Sequence, residues 1–464
     1  MRSPAASRSS PRRSTVGTDT TTTRRDVTRQ TRLVLAGTAA ALVAAVSLVG
    51  GALRSSGGSA RAVPVKSSAA GESFASGFSA GDTASLVRRL VDDLRAHPAD
   101  AKSYTLLGLA YQQRARETGN PAYYTKSEQA LDRARKLAPR DATTASARGS
   151  LALARHRFGE ALVLGREAVR LAPYTARNYG VLGDALVELG RYDEAFHVFD
   201  RMSSLRPDLS SYSRISYARE LLGRPHAAKQ AMTLALDAAG GQPEPTAWVE
   251  TQLGKLAWSR GRAGEAEAHY RAALSILPGY VYALEPLALV QEAKGHRRAA
   301  LSLARRAAEA LPLPQTVATL GDLYARHGRP RAARQQYTLV GVIRRLLVAN
   351  GVRTDLEIAQ FDADHGVSLG RALVAARQAR RARPSIDGDD VLAWALERNR
   401  RCTEALAYSR RALRLGTHDA LKYFHRGMIE RCLGHESRSW FVKAVRLDPH
   451  FSLLWSQLAR RYAS

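Results

Sequence analysis

The chain is poor in the residues from which disulfide frameworks, metal sites and catalytic centres are usually built. Only two of its 464 residues are cysteine, Cys402 and Cys432, and no CxxC spacing suggests zinc or redox chemistry. The sequence also contains no P-loop, GxGxxG, HExxH or GxSxG motif. These absences predict that the protein is not an enzyme and that it holds no metal and no cofactor.

Aromatic residues are scarce as well, at 7% of the chain, whereas Ala, Leu and Arg are abundant. Ala, Leu and Arg are among the strongest helix formers, while strands are enriched in aromatic and β-branched residues. The composition therefore predicts an all-α fold. The chain is longer than one compact core usually allows, so we expect several domains or an array of repeats.

Long basic runs are missing, although the net charge is +28. Residues 1–66 contribute +9 of it through eleven Lys and Arg and two Asp, and the remaining +19 is dispersed over the rest of the chain. Proteins that bind nucleic acids usually gather their basic residues into one patch or stripe. The dispersed arginines therefore argue against a nucleic-acid partner and indicate a solvated, Arg-rich surface.

Three different segments precede residue 82. Residues 1–32 are rich in Ser, Thr, Arg and Pro without apolar periodicity, which predicts a disordered basic tail. Leu33–Leu53 contain no charged residue, and a helix of this length spans about 30 Å, so we predict a transmembrane anchor. Residues 54–81 are rich in Ser, Gly and Ala, and this composition predicts a flexible tether.

The charges beside the apolar segment predict its orientation. Eight arginines precede it, whereas only Arg54, Arg61 and Lys66 follow closely. By the positive-inside rule the N-terminus stays in the cytoplasm and the rest of the chain crosses the membrane. We therefore expect a single-pass protein of the cell membrane whose main part is extracytoplasmic. The alternative is secretion after cleavage of a signal peptide near Ala60–Ala62.

Beyond the tether the sequence repeats itself with a period of 34 residues. Pro139, Pro173 and Pro207 are each 34 residues apart, and Pro278 and Pro312 are separated by the same interval. A period of this length indicates stacked supersecondary units. The unit is clearest in residues 176–207, through Tyr179, Leu182, Gly183, Leu186, Gly190, Tyr192, Ala195, Phe199 and Pro207.

This pattern resembles the tetratricopeptide repeat (TPR), in which two antiparallel helices form one unit. Gly183 and Ala195 are small where the two helices cross, and Phe199 fills space between units. The resemblance implies a right-handed α-solenoid of about ten TPR-like helix pairs. Residues 82–345 are then a regular TPR array, and residues 346–464 are degenerate TPR-like repeats with a capping helix. The Ala- and Arg-rich composition also resembles that of actinobacterial proteins.

The resemblance further implies a scaffold or adaptor that binds a protein or peptide partner in a concave groove lined by the first helix of each unit. Trp248, Lys255 and Trp258 share one stripe of such a helix, and aromatic and Arg side chains dominate binding hot spots. The alternative is that both tryptophans pack between repeats. The predicted groove residues are Arg177, Asp184, Arg214, Tyr217, Trp248, Gln252, Lys255, Trp258 and Tyr282.

Two further features lie in the C-terminal part. Asp362, Asp364 and His365 suggest an alternative function, a metal-dependent enzyme or extracytoplasmic ligand binder, because carboxylates beside a His can hold a divalent cation. Cys402 and Cys432 fall near equivalent turns of consecutive units. Stacking places such turns along one edge, so we predict that a disulfide joins them in an oxidising compartment.

Overall fold

The computed structural model describes residues 82–464, which consist of α-helices joined by loops. The predicted tail (1–32), transmembrane anchor (Leu33–Leu53) and tether (54–81) lie outside these residues. Within the described part, no helix combines the length and the apolar composition that crossing a membrane requires.

Twenty-two α-helices make up residues 82–464, and we number them in chain order. Helix α1 caps the array, α2 to α21 form ten consecutive pairs, and α22 closes it. Pair 1 is α2–α3, pair 2 is α4–α5, and so on to pair 10, which is α20–α21. The bounds are α1 Thr83–Ala96, α2 Ala101–Thr118, α3 Ala122–Leu137, α4 Ala142–Ala154, α5 Phe158–Leu171, α6 Ala176–Glu188, α7 Tyr192–Leu205, α8 Leu209–Leu221, α9 Pro225–Ala238, α10 Pro243–Trp258, α11 Ala263–Ile276, α12 Val281–Ala293, α13 Arg297–Ala310, α14 Pro314–Arg326, α15 Pro330–Ala349, α16 Asp355–Asp364, α17 Leu369–Ala382, α18 Ile386–Arg398, α19 Cys402–Ala412, α20 Ala420–Cys432, α21 Arg438–Leu447 and α22 Ser456–Ala463.

Small residues allow the two helices of each pair to pack closely, as the sequence predicts. A side chain at Gly183 of α6 would overlap the ring of Phe199 on α7, and both Phe199 and Ala195 are fully buried. Pair 5 repeats the arrangement with Gly254 and Tyr270. Most pairs also pack on the following pair, and the buried side chains of neighbouring pairs form shared apolar clusters, as between pairs 3 and 4 and between pairs 5 and 6.

The array also coils back on itself. We call the contact between pairs five units apart the seam. The loop that follows pair 7, 8, 9 or 10 lies against the turn inside pair 2, 3, 4 or 5. The loop segments are 350–353, 383–386, 416–418 and 447–450, and the turn segments are 155–157, 188–192, 221–223 and 258–261.

Much of the seam consists of hydrogen bonds to the main chain. The amide of Arg353 donates to the carbonyl of Arg155 over 3.1 Å. The amide of Ile386 donates to the hydroxyl of Tyr192 over 2.8 Å, and the hydroxyl of Thr417 donates to a carbonyl of the turn inside pair 4. A buried ion pair between Glu188 and the loop after α17 adds a charged contact. Such bonds hold residues together that lie almost two hundred positions apart in the sequence.

A disulfide joins the C-terminal pairs 9 and 10. Cys402 begins α19, Cys432 ends α20, and their Cα atoms lie 6.1 Å apart. The bond links the turn regions of two consecutive pairs, which is the arrangement that their positions in the repeat predict. Because 30 residues separate the two cysteines, the bond restricts a substantial loop in the unfolded chain.

The seam can be tested with two glycines that share a conformation but differ in surroundings. Gly223 and Gly328 both have positive φ, at +65° and +71°. A methyl group at Gly223 would overlap the carbonyl oxygen of Gly416 across the seam, whereas nothing lies within 4 Å at Gly328. We expect G328A to lower the free energy of unfolding by about 1 kcal/mol, and G223A by about 1–3 kcal/mol more, measured by denaturant titration. Equal losses in the two variants would contradict the seam.

The disulfide is tested by counting thiols. We expect the denatured, unreduced protein to show no free thiol and the reduced protein to show two, because the bond pairs both cysteines of the chain. Replacing both by alanine should lower the free energy of unfolding by about 3 kcal/mol through the freed loop. Two free thiols before reduction would rule the bond out and would also count against an oxidising compartment.

Candidate functional site

The predicted groove residues all lie on the first helices of pairs 3 to 6. Each of them is buried or half-buried. Because side chains of neighbouring first helices interact with one another, we call this side of the array the inner face. Its predicted members are Arg177 and Asp184 on α6, Arg214 and Tyr217 on α8, Trp248, Gln252, Lys255 and Trp258 on α10, and Tyr282 on α12.

Asp184 and Arg214 form a buried ion pair between pairs 3 and 4. The Arg214 Nε donates to Asp184 Oδ1 over 2.8 Å, and Nη2 donates to Oδ2. The two residues are 4% and 8% exposed. Removing one partner would leave the other charge buried without compensation. Both side chains therefore hold the array together, and neither offers an open surface to a ligand.

The aromatic residues of the predicted groove are engaged in packing. Trp248 is 6% exposed and packs in the core with Leu209 and Met232. Trp258 stacks on His450 across the seam, with 6.4 Å between the ring centroids. The hydroxyl of Tyr282 donates to the carbonyl of Arg116 over 3.3 Å. The packing alternative thus describes Trp248 and Trp258 better than an exposed aromatic groove does.

Four polar side chains of the inner face remain available. We call Tyr217, Glu220, Gln252 and Lys255 the inner polar cluster. The first two lie three residues apart on α8, and the last two have the same spacing on α10. All four are half-buried, and none of their side chains hydrogen-bonds or pairs with another residue of 82–464. Half-buried polar groups without protein partners need water or a ligand.

Burial shifts the pKa values of two members of this cluster, Glu220 and Lys255. It raises the pKa of Glu220 to about 7, and the nearby carboxylate of Asp419 adds to this effect. Burial lowers the pKa of Lys255, while Glu285 and Glu220 oppose the shift by their negative charge. The C-terminal pairs bring further charge close by, because the Lys422 ammonium lies 2.9 Å from Asp387 and 2.6 Å from Asp419. The inner face therefore holds polar and charged groups, and the pKa values of Glu220 and Lys255 depend on the charged residues near them.

Glu220 was not among the residues predicted from the sequence. Its spacing from Tyr217 equals that of Lys255 from Gln252, so helical periodicity alone would have placed it on the same stripe. No spacing in the sequence placed Asp387, Asp419 or Lys422 near this stripe. They belong to pairs 9 and 10 and reach the inner face only because the array coils back on itself.

The alternative metal site is not assembled. Asp364 Oδ1 accepts hydrogen bonds from the indole nitrogens of Trp394 and Trp455, both at 2.9 Å. His365 Nε2 lies 2.8 Å from Asp322 Oδ1, and its Nδ1 lies 2.8 Å from the carbonyl oxygen of Phe361. Nowhere in residues 82–464 do three or more His, Cys, Asp or Glu side chains converge as ligands would. Asp364 and His365 instead stabilise the contacts among α14, α16, α18 and the end of the chain.

Comparison with known proteins identifies one unit of the array. Residues 176–209 match the family model of the tetratricopeptide repeat. These residues fold as α6 and α7 with the loop that follows. No protein among those with curated descriptions matches the chain.

Solved structures with similar chains include TPR proteins. The thermophilic TPR protein TTC0263 of Thermus thermophilus is 23% identical, covers 41% of this chain and 99% of its own, and has a TM-score of 0.37. YrrB, a TPR protein with an unusual peptide-binding site, is 20% identical, with coverage of 39% and 92% and a TM-score of 0.27. The human IFIT1 dimer with PPP-AAAA is 13% identical, with coverage of 79% and 87% and a TM-score of 0.43.

The repeat match and the helix pairing agree on the same segment. The match spans 34 residues, and the helix pair that it covers has the same form as its neighbours on both sides. Residues 176–209 thus carry the tetratricopeptide repeat pattern, as one of ten helix pairs in the all-helical solenoid formed by residues 82–464.

Proposed function

We propose that this chain is a protein-interaction scaffold that binds an extended peptide segment along its inner face. The observation that carries the proposal is the inner polar cluster, whose four half-buried side chains have no partner within residues 82–464. Tyr217 and Gln252 can bond to a peptide main chain, while Glu220 and Lys255 offer charges of both signs. Solenoids of stacked helix pairs provide extended binding surfaces of this kind.

The position of the cluster favours a narrow ligand. Its side chains lie on the first helices of pairs 4 and 5, and the charged residues Asp387, Asp419 and Lys422 of the C-terminal part lie close to Glu220. An extended chain can bond to such a surface through its main-chain amides and carbonyls. Three residues beyond Lys255 on α10, Trp258 stacks on His450 at the seam. A folded domain would need the seam to open, whereas a peptide strand would not.

We further propose that Leu33–Leu53 anchor the scaffold in the cell membrane with the helix pairs outside the cytoplasm. The charge difference on either side of this segment supports the orientation. The disulfide between Cys402 and Cys432 fits an oxidising compartment. The scaffold would then present its inner face to extracytoplasmic partners, and an actinobacterial origin fits the composition.

The inner polar cluster is tested by removing two of its side chains. We expect Gln252→Ala with Lys255→Ala to weaken capture of the partner at least about tenfold, because a charged and a neutral hydrogen bond are lost together. The measurement is crosslinking on intact membranes, with a photoreactive residue at Tyr217 and mass spectrometry of the adducts. Trp258 stays unchanged, because it packs at the seam.

The matched control removes the same residue types from outward-facing helices. Lys136 on α3 and Gln230 on α9 are exposed, and Lys136→Ala with Gln230→Ala should leave the adducts unchanged. Equal adducts in the two double variants would refute binding at the inner face. A loss of helicity in the Gln252 and Lys255 variant would instead assign those residues to the fold.

Membrane topology is tested with a reporter that is active only outside the cytoplasm. Fused after Ser464, it should be active, because the positive-inside rule places the helix pairs across the membrane. The protein should also sediment with the membrane fraction. Activity with all protein in the medium would indicate a cleaved signal peptide, and an inactive fusion would overturn the orientation.

A further inference from the structure

A basic cavity lies on the opposite side of the C-terminal pairs from the inner face, between α17 and α19 and over α18. Its volume is about 340 Å³. Arg377, Arg380 and Arg381 come from α17, where helical spacing places them within one turn of each other. Its lining residues are Arg377, Arg380, Arg381, Leu392, Tyr408 and Arg411.

One buried carboxylate orients the guanidinium groups around this cavity. Asp389 is fully buried, and its Oδ1 accepts a hydrogen bond from Arg380 Nε over 2.5 Å. Its Oδ2 accepts from Arg414 Nη1 over 2.8 Å, and Arg411 Nε lies 3.7 Å from Oδ1. A single negative charge thus positions three positive ones. Two of these arginines, Arg380 and Arg414, are held by hydrogen bonds to a carboxylate that is itself buried.

The remaining arginines add positive charge that the protein does not neutralise. Arg377 lies 3.4 Å from Glu404, but Glu404 also pairs with Arg401. Arg381 is exposed and meets no carboxylate within residues 82–464. The guanidinium of Arg411 lies 4.2 Å from the centroid of the Tyr408 ring, which restricts its rotation. The cavity therefore carries several oriented guanidinium groups and a clear excess of positive charge.

We propose that this cavity binds a phosphate group that carries two negative charges, as in a phosphate monoester or pyrophosphate. Planar guanidinium groups donate two parallel hydrogen bonds to phosphate oxygens, and such charge-assisted bonds are stronger than neutral ones. A dianion neutralises arginines that otherwise repel each other across a small space. Leu392 and the Tyr408 ring form the apolar part of the lining, against which the organic part of an ester packs.

The cavity is independent of the inner polar cluster. Its residues lie on α17, α18 and α19, and the cluster lies on α8 and α10. Asp389 points toward the cavity, whereas Asp387, two residues earlier, pairs with Lys422 at the inner face. A scaffold with both sites binds a peptide on one side and a phosphate group on the other. Failure of the peptide proposal would leave the phosphate site untouched.

Calorimetry of the full-length chain in detergent, at about 150 mM salt so that weak surface attraction is screened, tests the site with inorganic pyrophosphate as the ligand. We expect saturable binding to one site. Arg377→Gln with Arg381→Gln should weaken it about tenfold or more, because two charge-assisted contacts are lost. Arg381→Gln alone should weaken it less. Arg381 has no partner within residues 82–464, so the single variant should not disturb folding.

The matched control has the same loss of charge elsewhere. Arg305 and Arg306 are exposed on α13, the second helix of pair 6, and have no ion-pair partner within the described residues. Arg305→Gln with Arg306→Gln should change the pyrophosphate affinity by less than about twofold, because screened charges far from a site contribute little. The proposal is overturned if pyrophosphate does not bind saturably, or if the two double variants lose affinity equally.

Two further ligands distinguish a soluble phosphate ester from a lipid headgroup. Glycerol 3-phosphate and dihexanoyl phosphatidic acid, used below the concentration at which it forms micelles, present the same phosphate with and without acyl chains. Equal affinities would indicate a soluble ester as the natural ligand. Tighter binding of the lipid, again weakened by Arg377→Gln with Arg381→Gln, would indicate a headgroup. Binding of neither ester would limit the site to inorganic anions and would refute the ester part of the proposal.

Discussion

The seam between pairs five units apart is the contact on which the rest of this structure depends. In a simple solenoid each unit contacts only its neighbours, and stability is close to a sum of local terms. Here main-chain bonds such as those from Arg353 and Ile386 connect the C-terminal pairs to the turns of pairs 2 and 3. Pairs 2 to 5 are therefore coupled to pairs 7 to 10, and damage to a turn in pair 4 reaches the loop after pair 9.

The seam also determines the chemistry of the inner face. It brings Asp387, Asp419 and Lys422 close to Glu220, which belongs to pair 4. Charged groups in such a confined space lose hydration, and the pKa of Glu220 rises to about 7 as a result. In an uncoiled array Asp387, Asp419 and Lys422 would not lie near Glu220. The charged surroundings of the inner polar cluster are thus in part a consequence of coiling.

The two sides of the C-terminal pairs use charge in different ways. On the inner face, opposite charges such as Lys422 and Asp387 compensate each other. On the outer side, Asp389 holds several arginines in place without balancing their total charge. Compensated charges stabilise a contact within the protein, whereas an oriented excess of one sign attracts a ligand of the other. One short segment at the start of α18 supplies carboxylates to both arrangements.

Much of the local structure follows from the repeat pattern. The 34-residue period predicts helix pairs, and residues 176–209 show both the predicted pair and the family match. The close contact between Gly183 and Phe199 follows from the need for a small residue where helices cross. Even the proximity of Cys402 and Cys432 could be inferred, because equivalent turns of consecutive units lie side by side. All of these are contacts between residues within one period of each other.

The long-range contacts could not be read from the sequence. Gly223 and Gly328 occupy equivalent turns and look alike in the repeat, yet only Gly223 touches a distant loop. The sequence places Trp258 and Lys255 on one helical stripe, but Trp258 stacks on His450, which lies nearly two hundred residues away in the sequence. The sequence alone determined the helix pairs, because their periodicity is local. Only the tertiary structure decided which side chains of the inner face stay without a protein partner. The small rotation between successive pairs accumulates over five units until distant pairs meet, and no periodic pattern in the sequence records this rotation.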